Sequence, residues 1–86
     1  MRHARAEDLV VIEPLLAEIR GHDDLIERSP GTFYKKSQAF LHFHEDPAGL
    51  FADVRLARGD GFTRMRVSTK AEQRSFMTAV RAALGD

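Results

Sequence analysis

The chain has 86 residues, with 13 basic and 13 acidic side chains, and it contains neither cysteine nor tryptophan. A net charge of zero argues against a strongly basic nucleic-acid-binding protein, and 43% hydrophobic residues argue against a disordered tail. Without cysteine there is no disulfide, thiolate nucleophile or cysteine-ligated metal site. No segment approaches the ~18 apolar residues of a membrane span, and the first residues lack the apolar core of a signal peptide. We expect a flexible N-terminus over residues 1–8 and one cytoplasmic domain over residues 9–86.

The segment from residue 9 to residue 20 predicts a helix. Four apolar residues recur there at helical spacing: Leu9, Ile12, Leu16 and Ile19. Pro14 leaves three interpretations open: a helix that starts near Glu13, an earlier helix kinked at the proline, or a short strand over residues 9–13. We favour a helix that ends at Gly21.

Residues 22–31 predict a connection that ends in a turn at Ser29-Pro30-Gly31. Beyond it, hydrophobicity alternates with period two. Four segments predict strands: Thr32–Lys35, Gln38–Glu45, Leu50–Ala57 and Phe62–Ser68. The links between them, the last over residues 58–61, are short enough to require antiparallel hairpins. Thr69 and Glu72 have the spacing of a capping box at the start of a helix that runs to Leu84. The sequence therefore predicts an α+β domain: a four-stranded antiparallel β-meander flanked by an N-terminal and a C-terminal helix.

The loop lengths predict which side chains share a face of the sheet. Three cross-strand pairs set the predicted register: Tyr34–Ala39, Phe43–Ala52 and Val54–Met65. One face is then apolar: Tyr34, Ala39, Leu41, Phe43, Leu50, Ala52, Val54, Leu56, Met65 and Val67. We expect the C-terminal helix to cover this face.

The opposite face mixes aromatic and charged side chains: Phe33, Lys35, Phe40, His42, His44, Phe51, Asp53, Arg55, Phe62, Arg64 and Arg66. Four exposed phenylalanines would form a large apolar patch for a monomer. We expect the N-terminal segment, a ligand or a second subunit to cover it, and the last possibility makes a homo-oligomer a candidate. The same register places Asp53 opposite both His42 and Arg66, which predicts a raised pKa for His42 and a lowered pKa for Asp53.

His42 and His44 alternate along one strand, so their rings point to one side. Two such imidazoles can chelate a metal ion with Asp53 or Asp46 as a third ligand, and His42 oriented by Asp53 has the arrangement of a general base. The cationic Arg66 beside Asp53 disfavours a metal ion. No nucleophile accompanies the pair. We therefore predict no cofactor and two histidines on a half-exposed face, with His42 held by Asp53.

The arrangement of phenylalanines among basic side chains is chemically similar to a stacking platform for single-stranded nucleic acid. The glycine/aromatic signature of the common RNA-binding sheets is absent, so nucleic acid is disfavoured as a partner. Residues 1–31 carry 4 basic and 7 acidic side chains, and residues 32–86 carry 9 and 6. These opposite charges suit either an N-terminal segment that lies on the sheet or two chains that exchange this contact.

The segment over residues 33–46 resembles a hairpin of two groups of small bacterial proteins. Phe33 and Phe40 match the F-x6-F spacing of the YjbR-like group and of the group called "luciferase domain". The latter continues as F-x-H-x-H-x-D, which is matched by Phe40, His42, His44 and Asp46. The resemblance implies an α/β sheet domain without an established activity. We predict a small, non-enzymatic domain that binds a partner or small ligand through the mixed face; the alternative is a His/Asp-based metal-binding or hydrolytic enzyme.

Overall fold

The computed structural model of the protein describes residues 2–57 and 61–85, so most of the turn predicted over residues 58–61 lies outside it. The elements of the described residues are β1 (Arg2–His3), α1 (Ala6–Leu9), a 3₁₀ turn (Val10–Ile12), α2 (Glu13–Arg20), β2 (Ile26–Ser29), β3 (Thr32–Lys35), β4 (Gln38–Asp46), β5 (Gly49–Val54), β6 (Thr63–Arg66) and α3 (Lys70–Ala83). The α+β class and the two flanking helices are confirmed. In these residues the sheet has six strands rather than four, because β1 and β2 add to the predicted meander.

The sheet is antiparallel throughout, in the order β2-β3-β4-β5-β6. β4 is long enough to have two neighbours along one edge. Its pairs with β3 stop at His42, and β1 pairs further along the same edge, with His44 and Glu45. β5 occupies the other edge. The sequence predicts a flexible end over residues 1–8, but the structure places residues 2–3 in a strand and begins a helix at Ala6.

The N-terminal helical segment follows the first of the three interpretations of Pro14. α2 begins at Glu13, so the proline lies in the first turn, where its missing N–H leaves no hydrogen bond unmade. The helix ends at Arg20, with Gly21 as its C-terminal cap. The predicted apolar stripe is confirmed, because all four of its members are buried: Leu9, Ile12, Leu16 and Ile19.

α3 begins at the predicted capping box. The Thr69 hydroxyl accepts a hydrogen bond from the Glu72 N–H at 3.1 Å, and a Glu72 carboxylate oxygen accepts one from the Thr69 N–H at 3.0 Å. Phe76 and Val80 are fully buried along the helix. None of the helices in residues 2–57 and 61–85 has the length and apolar character needed to cross a membrane.

Both helices pack on the same face of the sheet. Phe43 of β4 contacts the ring of Phe76 in α3 edge-on, with centroids 6.1 Å apart, and an ion pair between Glu18 and Arg81 joins α2 to α3. The core that they enclose includes most of the predicted apolar face: Leu41, Phe43, Leu50, Ala52, Val54 and Val67 are buried. Burial of this apolar surface is the main stabilising term of such a two-layer domain.

The prediction that Phe33 and Phe40 lie on the mixed face is wrong. Tyr34 is opposite Ala39 as predicted, but the register then shifts, so Phe33 is opposite Leu41 and Phe40 has no partner in β3. A bulge of this kind changes the alternation of side chains along the strand. Phe33 is therefore 1% exposed and Phe40 5% exposed, and both belong to the core.

The register between β5 and β6 also differs from the prediction. Val54 is opposite Thr63, and Met65 is opposite Ala52. The difference is two residues, which keeps every side chain on its predicted face. It does change the neighbours across the strands, and this determines which arginine lies opposite Asp53.

Candidate functional site

One surface of the sheet lies on the side opposite both helices, and we call it the open face. Its side chains come from β1, β4, β5, β6 and the residue before β6: His3, His42, His44, Phe51, Asp53, Phe62, Arg64 and Arg66. Residues opposite each other in antiparallel strands point to the same side, so the register fixes this membership. The Phe62 ring, 38% exposed, meets the His42 ring edge-on with centroids 4.7 Å apart.

A carboxylate lies at the centre of the open face. Asp53 is opposite His42, as predicted, and its other neighbour is Arg64 rather than Arg66. Arg64 donates two hydrogen bonds, from Nε to Oδ1 at 2.8 Å and from Nη2 to Oδ2 at 2.9 Å. Oδ2 is also 3.1 Å from Nε2 of His44. A row of imidazole, carboxylate and guanidinium is therefore present, but its members beside Asp53 are His44 and Arg64 rather than the predicted His42 and Arg66.

Asp53 is charged although it is only 7% exposed. Hydrogen bonds from Arg64 lower the pKa of this carboxyl below its ordinary value, and the positive charge of Arg64 adds to the effect, which outweighs the opposing effect of burial. The predicted direction is confirmed. Because Arg64 and His44 already occupy its oxygens, Asp53 supports the site and does not present a free ligand atom.

His42 differs from the prediction. Burial is the main reason that the pKa of His42 is lowered rather than raised, and the neighbouring His44 lowers it further. The attraction of Asp53 acts in the opposite direction and is smaller, since that carboxylate is bonded to Arg64 and His44 instead. Nδ1 of His42 is buried and has no hydrogen-bond partner among the described residues.

Three of the chain's four histidines meet on the open face. The ring centroids are 4.7 Å apart for His42 and His44, 4.9 Å for His3 and His44, and 5.6 Å for His3 and His42. Each ring offers one nitrogen, and the three nitrogens lie within 4.8 Å of one another. We call these residues the histidine cluster. The sequence predicts His42, His44 and Asp53 as metal candidates; in the structure the third nitrogen near the two histidines comes from His3, and Asp53 contacts His44 and Arg64.

His3 reaches the cluster because β1 is fastened to β4. The Ala4 N–H donates to the carbonyl of Phe43 at 3.1 Å, next to the pair formed by His3 and His44. Arg2 contacts the carboxylates of Asp8 and Glu45 at 3.1 and 3.3 Å. These ion pairs connect the strand to α1 and to β4, and therefore hold the His3 backbone in position.

Arg66 and Phe51 lie on the open face but do not belong to the histidine cluster. Arg66 donates to the carbonyl of Ala48 at 3.1 Å and to a Glu72 carboxylate oxygen at 3.0 Å, so it connects the sheet to the start of α3. Phe51 is half-buried, opposite His44 and Arg66. The open face thus divides into a structural end near α3 and a histidine-rich end near β1.

No sequence pattern indicates His3 as a site residue. A two-residue strand has no detectable periodicity, and its partner lies about 40 positions further along the chain. A polar end with no apolar pattern is typical of a frayed terminus. In a single sequence, no residue pattern of this short segment indicates the pairing.

In comparisons with protein-family models, curated proteins and solved structures, none matches this chain. The resemblance to the "luciferase domain" and YjbR-like groups through residues 33–46 therefore stays a prediction.

Proposed function

We propose that this domain binds a small ligand or a partner chain through the open face of its sheet. The observation that carries the proposal is the position of the helices. α2 and α3 bury their apolar side chains on one side of the sheet. Neither of these two helices covers the aromatic and charged side chains of the open face. A two-layer α+β domain of this kind has one sheet surface available for recognition.

The chemistry of the open face favours a polar ligand over an apolar one. With Phe33 and Phe40 in the core, Phe51 and Phe62 are the phenylalanines that remain on this face. Beside them, Asp53 is fixed by Arg64. Polar groups held in place by their neighbours orient a ligand and give specificity, whereas affinity from burial needs a larger apolar area. Because two of the four predicted phenylalanines lie in the core, the open face has less apolar area for a homo-oligomer than the sequence predicts. The test below shows whether a second copy is the partner.

The alternative of a hydrolytic enzyme has one supporting feature. Asp53 holds the ring of His44, which is the arrangement of an oriented general base. A nucleophile beside that base would be needed as well. The hydroxyl of Ser68 is engaged elsewhere, because it accepts a hydrogen bond from the Leu50 N–H at 2.8 Å. Ligand binding therefore has the better support.

The test combines the mass of the protein in solution with a map of the side chains that solvent reaches. Sedimentation equilibrium gives the mass, and broadening of ring resonances by a neutral nitroxide gives the map. We expect strong broadening at Phe62 and His3 and little at Phe33, which serves as the core control. A doubled mass with a protected open face would identify a second copy as the partner. A monomer whose open face is as protected as its core would contradict the proposal.

A further inference from the structure

We propose that His3, His42 and His44 bind one divalent transition-metal ion on the open face. The inference rests on the proposed function of this face as a ligand-binding surface, and it names the ligand class. It is carried by the histidine cluster, by the unpartnered Nδ1 of His42 and by the contact between His44 and Asp53.

The distances in the histidine cluster suit a metal ion after a small adjustment. Zinc binds imidazole nitrogen at about 2.0–2.1 Å, so the ligands of a tetrahedral ion lie roughly 3.3 Å apart. The three nitrogens here lie within 4.8 Å of one another. His42 and His44 are held in the middle strand of the sheet, whereas His3 is an exposed residue on a two-residue strand. Rotation of the His3 side chain provides most of the movement required.

The buried nitrogen of His42 gives an independent reason to expect a ligand. Buried polar atoms in folded proteins almost always have a partner, and each exception needs an explanation. Nδ1 of His42 has none among the described residues. A metal ion bound at the histidine cluster through this nitrogen would give it a partner that the described residues do not supply.

Asp53 has the relation to His44 that supporting carboxylates have to metal-bound histidines. In such sites, a histidine commonly bonds a carboxylate through one ring nitrogen and the metal through the other. Here Nε2 of His44 is 3.1 Å from Oδ2 of Asp53, which leaves Nδ1 as the ligating nitrogen. The two hydrogen bonds from Arg64 hold the carboxylate in turn. Asp53 is thus a positioning residue rather than a metal ligand.

The positive charge of an arginine near the site is offset. The predicted position of Arg66 beside Asp53 disfavours a metal ion, but in the structure Arg66 donates to Ala48 and Glu72 at the other end of the open face. Arg64 is closer, and its guanidinium forms a two-hydrogen-bond ion pair with Asp53. A neutralised arginine repels a cation much less than a free one.

The ligand set indicates the class of ion. Imidazole nitrogen suits zinc, copper, nickel and iron, while carboxylate and carbonyl oxygen suit magnesium and calcium. Three histidines occupy three positions of a four-coordinate ion and leave one for water or another small ligand. We therefore expect Zn²⁺ to bind and Mg²⁺ not to compete with it.

The experiment is a titration of the full chain with ZnCl₂, followed by calorimetry and by the ¹⁵N resonances of the histidine rings. We expect one ion per chain and shifts at His3, His42 and His44, with His22 unmoved. Excess MgCl₂ should leave the binding curve unchanged. If no histidine resonance moves while Phe62 stays accessible to the nitroxide, the metal proposal fails and the proposed function of the open face survives.

Two matched variants distinguish a specific metal site from adventitious binding of the ion to the protein surface. His3→Asn changes an exposed ligand without touching the core, and His22→Asn is the control outside the cluster. Circular dichroism establishes that both fold. We expect His3→Asn to weaken Zn²⁺ binding by more than the roughly 10–100-fold typical of supporting residues, and His22→Asn to leave it unchanged. Unaltered binding by His3→Asn, or an equal loss in both variants, would overturn the proposal.

Discussion

Arg64 is the main cause of the lowered pKa of the Asp53 carboxyl. Arg64 donates to both oxygens, and burial opposes ionisation. The Arg64 side chain is 52% exposed, but the Asp53 side chain is only 10% exposed, so removal of Arg64 leaves a buried carboxylate without its main compensating charge. We expect Arg64→Ala to lower the free energy of unfolding clearly, as measured by urea denaturation at pH 7.

Arg81→Ala is the matched control for this prediction. Arg81 pairs with Glu18 between α2 and α3, and both side chains of that pair are more than 40% exposed. Exposed ion pairs contribute little, because water solvates either partner when the other is lost. Arg81→Ala should therefore cost less than Arg64→Ala. An equal cost would show that the burial of Asp53 has no energetic consequence.

The turn between β3 and β4 joins two strands with two residues that both have positive φ. Lys36 has φ 51° and Ser37 has φ 70°, a conformation of primed hairpin turns that glycine adopts without strain. The left-handed conformation costs a residue with a side chain about 1–2 kcal/mol of strain, whereas glycine loses about 0.5–1 kcal/mol in conformational entropy on folding. Ser37→Gly should raise the free energy of unfolding by about 0.5–1 kcal/mol.

Gly31→Ala is expected to have the opposite effect. Gly31 has φ 77°, and a Cβ atom there would lie 3.1 Å from a methyl carbon of Leu9. The substitution adds both backbone strain and crowding in the core. Urea denaturation of the two variants beside the parent protein checks the pair of predictions. A loss of stability in Ser37→Gly would contradict the strain argument for this turn.

The elements that the sequence predicts well are those with a repeated pattern. Period two located β3 and β4, and helical spacing located α2 and α3, because a buried face repeats its signal over several residues. Where the signal is one residue, prediction fails. Phe40, which has no partner in β3, shifts the register between β3 and β4, and Phe33 therefore lies in the core. A single-residue insertion into a ladder leaves no mark on the alternation that precedes it.

The candidate site was predicted in part for the same reason. His42, His44 and Asp53 lie on one face because alternation and hairpin pairing place them there. His3 joins them through a two-residue strand that has no pattern. Arg64 replaces Arg66 because the register between β5 and β6 differs by two residues. A period-two pattern specifies the face of a side chain, but the neighbour across the strand depends on the loop.

At the scale of the whole molecule, the neutral chain is an acidic N-terminal part packed on a more basic remainder. The sequence left open whether the N-terminal segment lies on the sheet. α2 does so, on the apolar face, and is joined to α3 through Glu18 and Arg81. His3 is the N-terminal side chain that reaches the histidine cluster on the open face. The Glu18–Arg81 ion pair is thus one contact between the acidic and the basic part of the chain, and it lies on the helix side of the sheet.

Two glutamates connect helices to the sheet: Glu27 connects α2, and Glu72 connects α3. Glu27 of β2 accepts hydrogen bonds from Arg20 of α2 at 2.7 Å and from the Gly31 N–H at 2.9 Å. Glu72 of α3 accepts from Arg66 of β6 at 3.0 Å and from backbone N–H groups at the helix start. Each carboxylate thus accepts hydrogen bonds from one arginine and from backbone N–H groups. These hydrogen bonds are weaker when the carboxyl is protonated.

This arrangement makes the fold sensitive to acid. The side-chain hydrogen bond from Arg20 is the main cause of the lowered pKa of Glu27, and the backbone N–H of Thr69 is the main cause for Glu72. A carboxylate whose pKa is lowered in the folded state stabilises the fold at pH values above its ordinary pKa, which is 4.5 for glutamate. That stabilisation is lost as the pH falls through the lowered pKa.

We expect the free energy of unfolding, measured with urea, to be higher at pH 7 than at pH 3. Glu27→Gln should reduce the value at pH 7 and narrow the difference between the two pH values, whereas Glu7→Gln, on an exposed surface, should change neither. A Glu27→Gln variant with the parent's full loss of stability in acid would contradict the role of this carboxylate.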